Sequence, residues 1–300
     1  MLSAHFTPVK CAFSLDNLPK LWYNICRTVR NHPVLKQNYG PKQYRCARMG
    51  AAFLPVKEEI MNRYSVIHGK NPREILLLRG SGCRWQRCRF CDYHLDSAPD
   101  AAENLRINLA AMARVTGIYR HLEVINSGSF PELDAGTMAA LKALCREKGI
   151  ETLHFECHYI WRQEIPRLRE EFAAVGTALK IKTGVETFDC DFRERVLCKG
   201  IAARDPAEIA AGFDECCLLF GLTGQTEESM RRDIETGLSH FERVCVNIFV
   251  ENSTPVKPDP AVIACFRERI YPDYIENERV DILMNNTDFG VGGEEDTDAQ

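Results

Sequence analysis

Six short apolar segments of β-strand character recur between residues 74 and 250, and they alternate with amphipathic stretches of helical length. The segments are EILLLR (74–79), HLEVINSG (121–128), TLHFEC (152–157), ALKIKTGVET (178–187), ECCLLFGL (215–222) and RVCVNIFV (243–250). The intervening stretches place apolar residues three and four positions apart, as helices packed on a sheet do. Six strand–helix units in one direction predict an α/β fold with a parallel sheet, open or curled into a partial barrel.

The segments before and after this repeat differ from it. Residues 16–30 and 51–66 have helical spacing of apolar residues, which predicts a helical N-terminal extension over 1–70. The repeat then occupies 71–255, and a C-terminal extension over 256–300 ends in the acidic tail EEDTDAQ. The chain starts without the layout of a signal peptide and has no apolar run long enough to span a membrane, so we expect a cytoplasmic protein.

Charge is unevenly distributed along the 300 residues, although the net charge is only −4. Residues 1–100 carry 16 Lys and Arg against 7 Asp and Glu, or +9, and the remaining residues carry 22 against 35, or −13. A basic front half favours an anionic partner such as a phosphate or a nucleic acid. A solvated basic surface without a partner is the alternative, because these basic residues form no dense run.

Three of the fourteen cysteines have the spacing of metal ligands. The stretch RGSGCRWQRCRFCDYH places Cys83, Cys88 and Cys91 at C-x4-C-x2-C spacing, with His94 three residues later. Three thiolates and an imidazole would hold a zinc ion, whereas three thiolates alone would hold an iron–sulfur cluster with one iron left open. The loop directly follows the first strand, and reactive groups of parallel α/β folds lie at the carboxyl ends of the strands.

The loop resembles that of the radical S-adenosylmethionine (SAM) enzymes. Their commonest signature is C-x3-C-x2-C after the first strand of a partial (β/α)6 barrel, with an aromatic residue before the third cysteine, as Phe90 precedes Cys91 here. This loop has one extra residue between the first two cysteines. The resemblance implies an α/β fold of the partial (β/α)6 barrel type, a 4Fe-4S cluster on the three cysteines and SAM as cofactor, with Phe90 beside the cofactor.

The second strand supports the same resemblance. NSGSF, residues 126–130, lies where the family places its Gly-rich contact to the amino and carboxylate groups of SAM. Close approach of the backbone requires a residue without a side chain, here Gly128, and an ammonium group needs oxygen acceptors such as Ser127 and Ser129.

Two later strands resemble the Elongator and coproporphyrinogen-dehydrogenase branch of that superfamily. TGVETFD is similar to the branch's fourth strand and implies that Glu186 reaches the ribose or amino-acid part of SAM. FGLTGQT is similar to its fifth strand, and it implies that Gly221 and Gly224 lie beside the adenosine. Thr226 is predicted to cap the next helix.

Polar side chains that alternate along the strands are the candidates for substrate contact. In LHFECHYIW a row of imidazoles and a carboxylate lies on one strand face, which should point into the barrel because such a row does not pack against helices. The last strand and the cysteine loop supply further polar groups. The candidates are His154, Glu156, His158, Asn247, Glu251, Asn252, Asp92 and His94.

Within the superfamily, the cysteine loop and NSGSF together resemble the archaeosine-synthase radical subunit and the bacterial queuosine lyases of queuine salvage. The resemblance implies that a 5′-deoxyadenosyl radical takes a hydrogen from the ribose of queuosine or its 5′-phosphate, after which queuine is expelled. It implies flavodoxin or ferredoxin as electron donor. The alternatives are a radical enzyme that modifies tRNA or another small metabolite, and a zinc-stabilised nucleic-acid-binding protein.

Overall fold

The computed structural model of the protein describes residues 63–284. These residues form one eight-stranded sheet in sequential order, in which β1 is antiparallel to β2 and every later pair is parallel. The strands are β1 Tyr64–Ile67, β2 Arg73–Leu78, β3 His121–Asn126, β4 Thr152–Glu156, β5 Ala178–Glu186, β6 Glu215–Phe220, β7 Arg243–Ile248 and β8 Val280–Leu283.

The sheet is strongly curled. Arg73 on β2 forms an ion pair with Asp281 on β8 at 3.3 Å, and Asn71 donates a hydrogen bond to the same carboxylate at 2.7 Å. Strands six places apart in a flat sheet would be separated by about 29 Å, since neighbouring strands are 4.8 Å apart. The contact therefore shows a partial barrel whose first and last parallel strands approach each other at their amino ends.

Helices connect the parallel strands and cover the outside of the barrel. They are α1 Ala101–Met112, α2 Ala135–Lys148, α3 Ile165–Ala173, α4 Pro206–Ala210, α5 Glu227–His240, α6 Pro260–Cys265 and α7 Tyr271–Tyr274. Shorter helical turns occupy Tyr93–Leu95, Phe130–Glu132, Tyr159–Glu164, Phe192–Val196 and Phe266–Ile270. Thr226 caps α5, accepting a hydrogen bond from the backbone N–H of Ser229 at 3.1 Å, which confirms the predicted cap.

The two faces of the sheet have different chemistry. Outward side chains such as Leu76, Phe155 and Phe220 are fully buried and form the main hydrophobic core with the helices. Inward side chains include Glu123 on β3 and Lys182 on β5, which form a buried ion pair over the intervening strand β4. An alternation of apolar and polar residues therefore marks the inside of this barrel, because the polar groups face an interior that the helices do not cover.

The six predicted strands coincide with β2 to β7, which confirms the fold class. The structure adds β1 and β8, which the sequence analysis did not predict. Residues 64–66 were placed at the end of a helix, but they belong to β1, because pairing with β2 gives their backbone groups partners. The other predicted helical residues of the N-terminal extension lie outside the described residues. Among residues 63–284 there is no helix long and apolar enough to span a membrane.

Candidate active site

A cavity of about 600 Å³, here called the site cavity, opens at the carboxyl ends of the parallel strands. It brings together fifteen of the eighteen residues that the sequence singled out, so the predicted location is that of the main cavity. These residues are Cys83, Cys88, Phe90, Cys91, Asp92, His94, Ser127, Gly128, Ser129, Glu156, His158, Glu186, Asn247, Glu251 and Asn252.

The cysteine loop, residues 79–95, carries three thiols that face the site cavity. Cys83, Cys88 and Cys91 are unpaired in any disulfide and partly buried. A backbone hydrogen bond fixes the loop: the N–H of Arg89 donates to the carbonyl of Leu197 at 2.9 Å. Since Leu197 belongs to the loop after β5, the two loops form one wall of the cavity.

The donor set fits an iron–sulfur cluster. Burial raises the pKa of Cys88 to about 11 and that of Cys91 to about 12, so both remain neutral thiols near pH 7 until a metal displaces the proton. The three thiols line one cavity wall, as ligands of a cluster with one open iron would.

A buried ion pair lies beside the thiols. Lys199 Nζ contacts Glu186 Oε1 at 2.6 Å and lies 5.5 Å from the centre of the Phe90 ring. Burial alone would lower the pKa of Lys199, but Glu186 outweighs it and raises the pKa above its usual value. Glu186 itself has a φ of +67°, a left-handed conformation that is costly for a residue with a side chain. The ion pair thus keeps a charged lysine next to the cysteines and a strained glutamate in place.

His158 is held as a neutral imidazole in the same wall. Its Nε2 donates to the carbonyl of Lys199 at 2.8 Å, and its Nδ1 accepts from the backbone N–H of Ile160 at 3.2 Å. One nitrogen must donate and the other accept, which only the neutral ring can do. Burial lowers the pKa of His158 to about 3, and the nearby Lys199 charge acts in the same direction.

Trp85 packs the cysteine loop against this imidazole. Its ring stacks on His158 with centroids 5.7 Å apart, and its Nε1 donates to the carbonyl of Cys198 at 2.8 Å. Gly200 makes room for it, since a Cβ there would lie 2.3 Å from the indole. The loop after β5 therefore depends on a residue without a side chain at this point.

The turn after β3 packs closely against the cysteine loop. A Cβ on Gly128 would lie 2.6 Å from the carbonyl oxygen of Gly82, so only glycine fits there. The hydroxyl of Ser127 accepts from the backbone of Gly80 at 3.0 Å, and that of Ser129 accepts from the backbone of His158 at 2.9 Å. Both serines line the cavity, and their hydrogen bonds connect this turn to the cysteine loop and to the loop after β4.

The rim of the cavity joins the cysteine loop to the loop after β7. Asn252 Nδ2 donates to the carbonyl of Phe90 at 2.7 Å, and Asp92 accepts from both the backbone and the hydroxyl of Ser253. Glu251 pairs with Lys257 and is mostly exposed. Asn252 and Asp92 therefore fix the position of the loop.

Three predicted residues do not line the site cavity. His154 lies on the same strand face as Glu156 but nearer the amino end, where it lines a second pocket of about 210 Å³. It hydrogen-bonds Glu215 at 2.8 Å, and Glu215 also pairs with Arg243 at 2.7 Å. Burial alone would raise the pKa of Glu215, but His154 and Arg243 outweigh it and lower the pKa to about 2. The structure therefore places His154 in an ion network outside the site cavity, and its contact with the substrate stays a prediction.

Gly221 and Gly224 shape the loop after β6 instead of facing the cavity. They have φ values of +98° and +99°, and a Cβ on Gly221 would lie 2.8 Å from the side chain of Ile263. The apolar side chains that line the site cavity near this loop are Leu219 and Phe249. The positive φ values show that these glycines are required by the turn, and their position beside the adenosine stays a prediction.

Comparison with known proteins gives one decisive match. No family model matches the chain, and no curated protein matches it. A solved structure does, a queuine lyase from Clostridium spiroforme bound to SAM and queuine. It is 43% identical, with a TM-score of 0.73, over 78% of this chain and 100% of that one. The chain belongs to the queuine lyase family.

Several residues of this queuine lyase family member line the site cavity although they were not among the predicted site residues. Lys199 lies in a loop more than a hundred residues after the cysteines. Asn126 ends β3 and is 2% exposed, and neither atom of its amide has a hydrogen-bond partner among the described residues. Cys217 and Cys245 line the cavity from β6 and β7. Only the strand alternation, which puts Cys217 and Cys245 on the inward face, could have indicated any of them.

Proposed function

We propose that the protein is a radical SAM enzyme that releases queuine from queuosine or queuosine 5′-phosphate. The observation that carries the proposal is one cavity that joins three free thiols to a polar barrel interior, in a chain 43% identical to a queuine lyase bound to SAM and queuine. A volume of about 600 Å³ lies within the range of small-molecule and cofactor sites.

The residues present fit both cofactors. Cys83, Cys88 and Cys91 would hold a 4Fe-4S cluster, and the turn at Gly128 offers backbone groups to the amino-acid end of SAM. When bound and reduced, the pair supplies a carbon radical that takes a hydrogen atom from the substrate. Glu186 is positioned by Lys199 to contact SAM, and Phe90 lies on the apolar side of the same wall.

Inward polar groups at the carboxyl ends of the strands are the proposed substrate contacts. Glu156 is half-buried, its partial burial raises the pKa of its carboxyl group, and its hydrogen bond within residues 63–284 is a weak one from Cys217 at 4.0 Å. The amide of Asn126 is buried without a partner there. Because buried polar groups are normally paired, both side chains point to a ligand with hydrogen-bond donors and acceptors, as a deazaguanine base has.

The neutral state of His158 matters for a radical reaction. Its two hydrogen bonds use both ring nitrogens, so it neither gives nor takes a proton near pH 7. The residues around the substrate therefore bind it, orient it and exclude water, and His158 takes no part in proton transfer.

An acidic electron-carrier protein, such as flavodoxin or ferredoxin, is the proposed source of the electron. The cysteine loop turns its thiols toward the cavity, and it exposes Arg84, Arg87 and Arg89 to solvent. Three cations around the cluster would steer a negatively charged partner to it. Replacing all three with glutamate should slow reduction by flavodoxin while leaving reduction by dithionite unchanged; equal rates with flavodoxin would refute this docking face.

We propose a small-molecule substrate and a cytoplasmic location. The free thiols and an open cluster suit a reducing compartment. Modification of tRNA remains the second candidate, favoured by the basic charge of residues 1–100.

The test is a product assay with anaerobically reconstituted protein. Reduced enzyme and SAM are incubated with queuosine, queuosine 5′-phosphate or queuosine-containing tRNA, and queuine and 5′-deoxyadenosine are measured. We expect both products from the nucleoside or its phosphate, and neither from Cys88→Ala. Deoxyadenosine without queuine would refute the lyase activity, and queuine from tRNA alone would refute the small-molecule substrate.

A further inference from the structure

Two buried cysteines form a thiol pair in the wall of the site cavity. Cys217 on β6 and Cys245 on β7 are direct partners in the strand register, and both side chains line the cavity. They are 7% and 3% exposed. They lie outside the cysteine loop, and the proposed function gives them no role.

The contacts of Cys217 keep hydrogen on its sulfur. The thiol of Cys217 donates a weak hydrogen bond to Glu156 Oε1 at 4.0 Å, and Cys245 Sγ lies 4.0 Å from Asn247 Oδ1. The neighbouring Cys245 thiol and burial raise the pKa of Cys217 well above its usual value, whereas the same contact lowers the pKa of Cys245. A neutral S–H group of Cys217 thus lines the space where the substrate is expected.

The proposed reaction, on which this inference rests, leaves a radical that a hydrogen donor can quench. Removal of one hydrogen atom from the sugar leaves an odd number of electrons in the cleaved products. Closed-shell queuine and a closed-shell sugar form when one hydrogen is returned, either as an atom or as an electron and a proton. An S–H bond is weaker than an alkyl C–H bond, so transfer of the whole atom from a thiol to a carbon radical is favourable, and it moves no net charge.

We propose that Cys217 donates this hydrogen atom to the sugar-derived carbon radical, with Cys245 as its hydrogen-bonded neighbour. The S–H bond of Cys217 breaks, a C–H bond forms on the sugar, and the unpaired electron remains on sulfur. One electron from the carrier protein that reduces the cluster and one proton, passed by the adjacent Glu156, then restore the thiol.

Other hydrogen donors in the cavity are less suited. The thiol of Cys157 donates to the carbonyl of His158 at 3.3 Å, a shorter contact than the 4.0 Å from Cys217 to Glu156, so it is less free to react. Tyr93 lies in the cysteine loop at the rim. Cys217 lies beside Glu156, the carboxyl group proposed to contact the substrate.

Solvent deuterium tests the proposal, because a thiol exchanges its hydrogen with water. Turnover in D2O, followed by return of the products to H2O, should leave one deuterium on carbon in the sugar product. Cys217→Ser keeps the side-chain volume, but its O–H bond is too strong to donate. We expect its deuterium incorporation to fall at least about tenfold, the least that loss of a positioned reactant costs.

Cys216→Ala is the matched control, since Cys216 precedes Cys217 but faces α5, with its sulfur 3.3 Å from the Cβ position of Gly237. It should incorporate deuterium as the unmodified protein does. Full labelling in Cys217→Ser and Cys217→Ala, loss of label in Tyr93→Phe instead, or an unlabelled sugar from unmodified protein would each overturn the proposal. Absence of queuine would refute the proposed function itself, whereas queuine with an unlabelled sugar refutes the hydrogen donor alone.

A second readout needs neither cluster nor cofactor. Residues opposite each other on neighbouring strands have Cα atoms about 5 Å apart, which suits a disulfide. Diamide, which takes two hydrogen atoms from two thiols, should join Cys217 to Cys245 in cluster-free protein, and peptide mass mapping should detect the product. A Cys217 that remains unpaired, or pairs with Cys216, would overturn the assigned thiol pair.

Discussion

Replacing Lys199 with methionine removes one partner of a buried ion pair and leaves the Glu186 carboxylate without its counter-ion. The two charged atoms are 2.6 Å apart, and the side chains are 11% and 7% exposed. At an effective dielectric constant of about 20, charges at this distance attract by roughly 6 kcal/mol, which the loss of hydration partly offsets. Breaking such a pair costs about 3 to 5 kcal/mol. We expect Lys199→Met to lower the free energy of unfolding by that amount.

The structure offers a matched control at the same distance. Lys180 contacts Glu242 at 2.6 Å, but these side chains are 32% and 61% exposed. Exposed pairs contribute about 0 to 1 kcal/mol, so Lys180→Met should have little effect. A difference of about 3 kcal/mol between two lysine substitutions would then come from burial alone.

Urea unfolding of cluster-free protein is the assay, because it separates the ion pair from any effect of cofactor loading. The double variant Lys199→Met with Glu186→Gln should recover much of the lost stability, since no buried charge is left unpaired. Equal effects of Lys199→Met and Lys180→Met, or no recovery in the double variant, would refute the reasoning.

Three further predictions follow from the geometry. The pKa of Glu215 is about 2 in the folded protein, below its usual 4.5, so its ionisation stabilises the fold by roughly 3 kcal/mol above pH 4.5. This stabilisation is lost as pH falls toward 2. Urea unfolding from pH 5 to 3 should therefore show a smaller loss of unfolding free energy in Glu215→Gln than in the unmodified protein. Gly200→Ala should destabilise the protein by at least about 2 kcal/mol and shift the fluorescence of Trp85. The added Cβ would collide with the indole, and the backbone φ of +77° at this position is unfavourable for alanine. Unchanged emission would contradict this. Asn252→Ala should weaken SAM binding about tenfold in calorimetry by freeing the Phe90 carbonyl, and unchanged affinity would contradict the tethering role.

Sequence periodicity was sufficient for the parallel strands because burial on the outside and polarity on the inside follow the pleat. It was insufficient for β1 and β8, four-residue strands that lack the alternating pattern and are completed by pairing with β2 and β7. Their existence depends on partners distant in the sequence, which no local window contains.

The candidate site shows a second limit of prediction from sequence periodicity. Alternation predicted correctly that His154 and Glu156 share a face, but it carries no information on depth along the barrel. Two residues on one strand face lie about 6.6 Å apart along the strand, enough to separate an ion network from the site cavity. Lys199 was missed for a related reason, since its approach to the cysteines depends on how two loops fold together.

The different depths of His154 and Glu156 along β4 allow the most direct test that the substrate binds at the carboxyl end of the barrel. Glu156→Gln and His154→Gln change neighbouring inward residues of β4, and queuine release from queuosine 5′-phosphate is measured for each with loaded enzyme. We predict that Glu156→Gln lowers kcat/KM at least about tenfold, as loss of a buried polar contact to the substrate does, while His154→Gln stays within about twofold of the unmodified protein. Full activity in Glu156→Gln together with loss in His154→Gln would contradict the account.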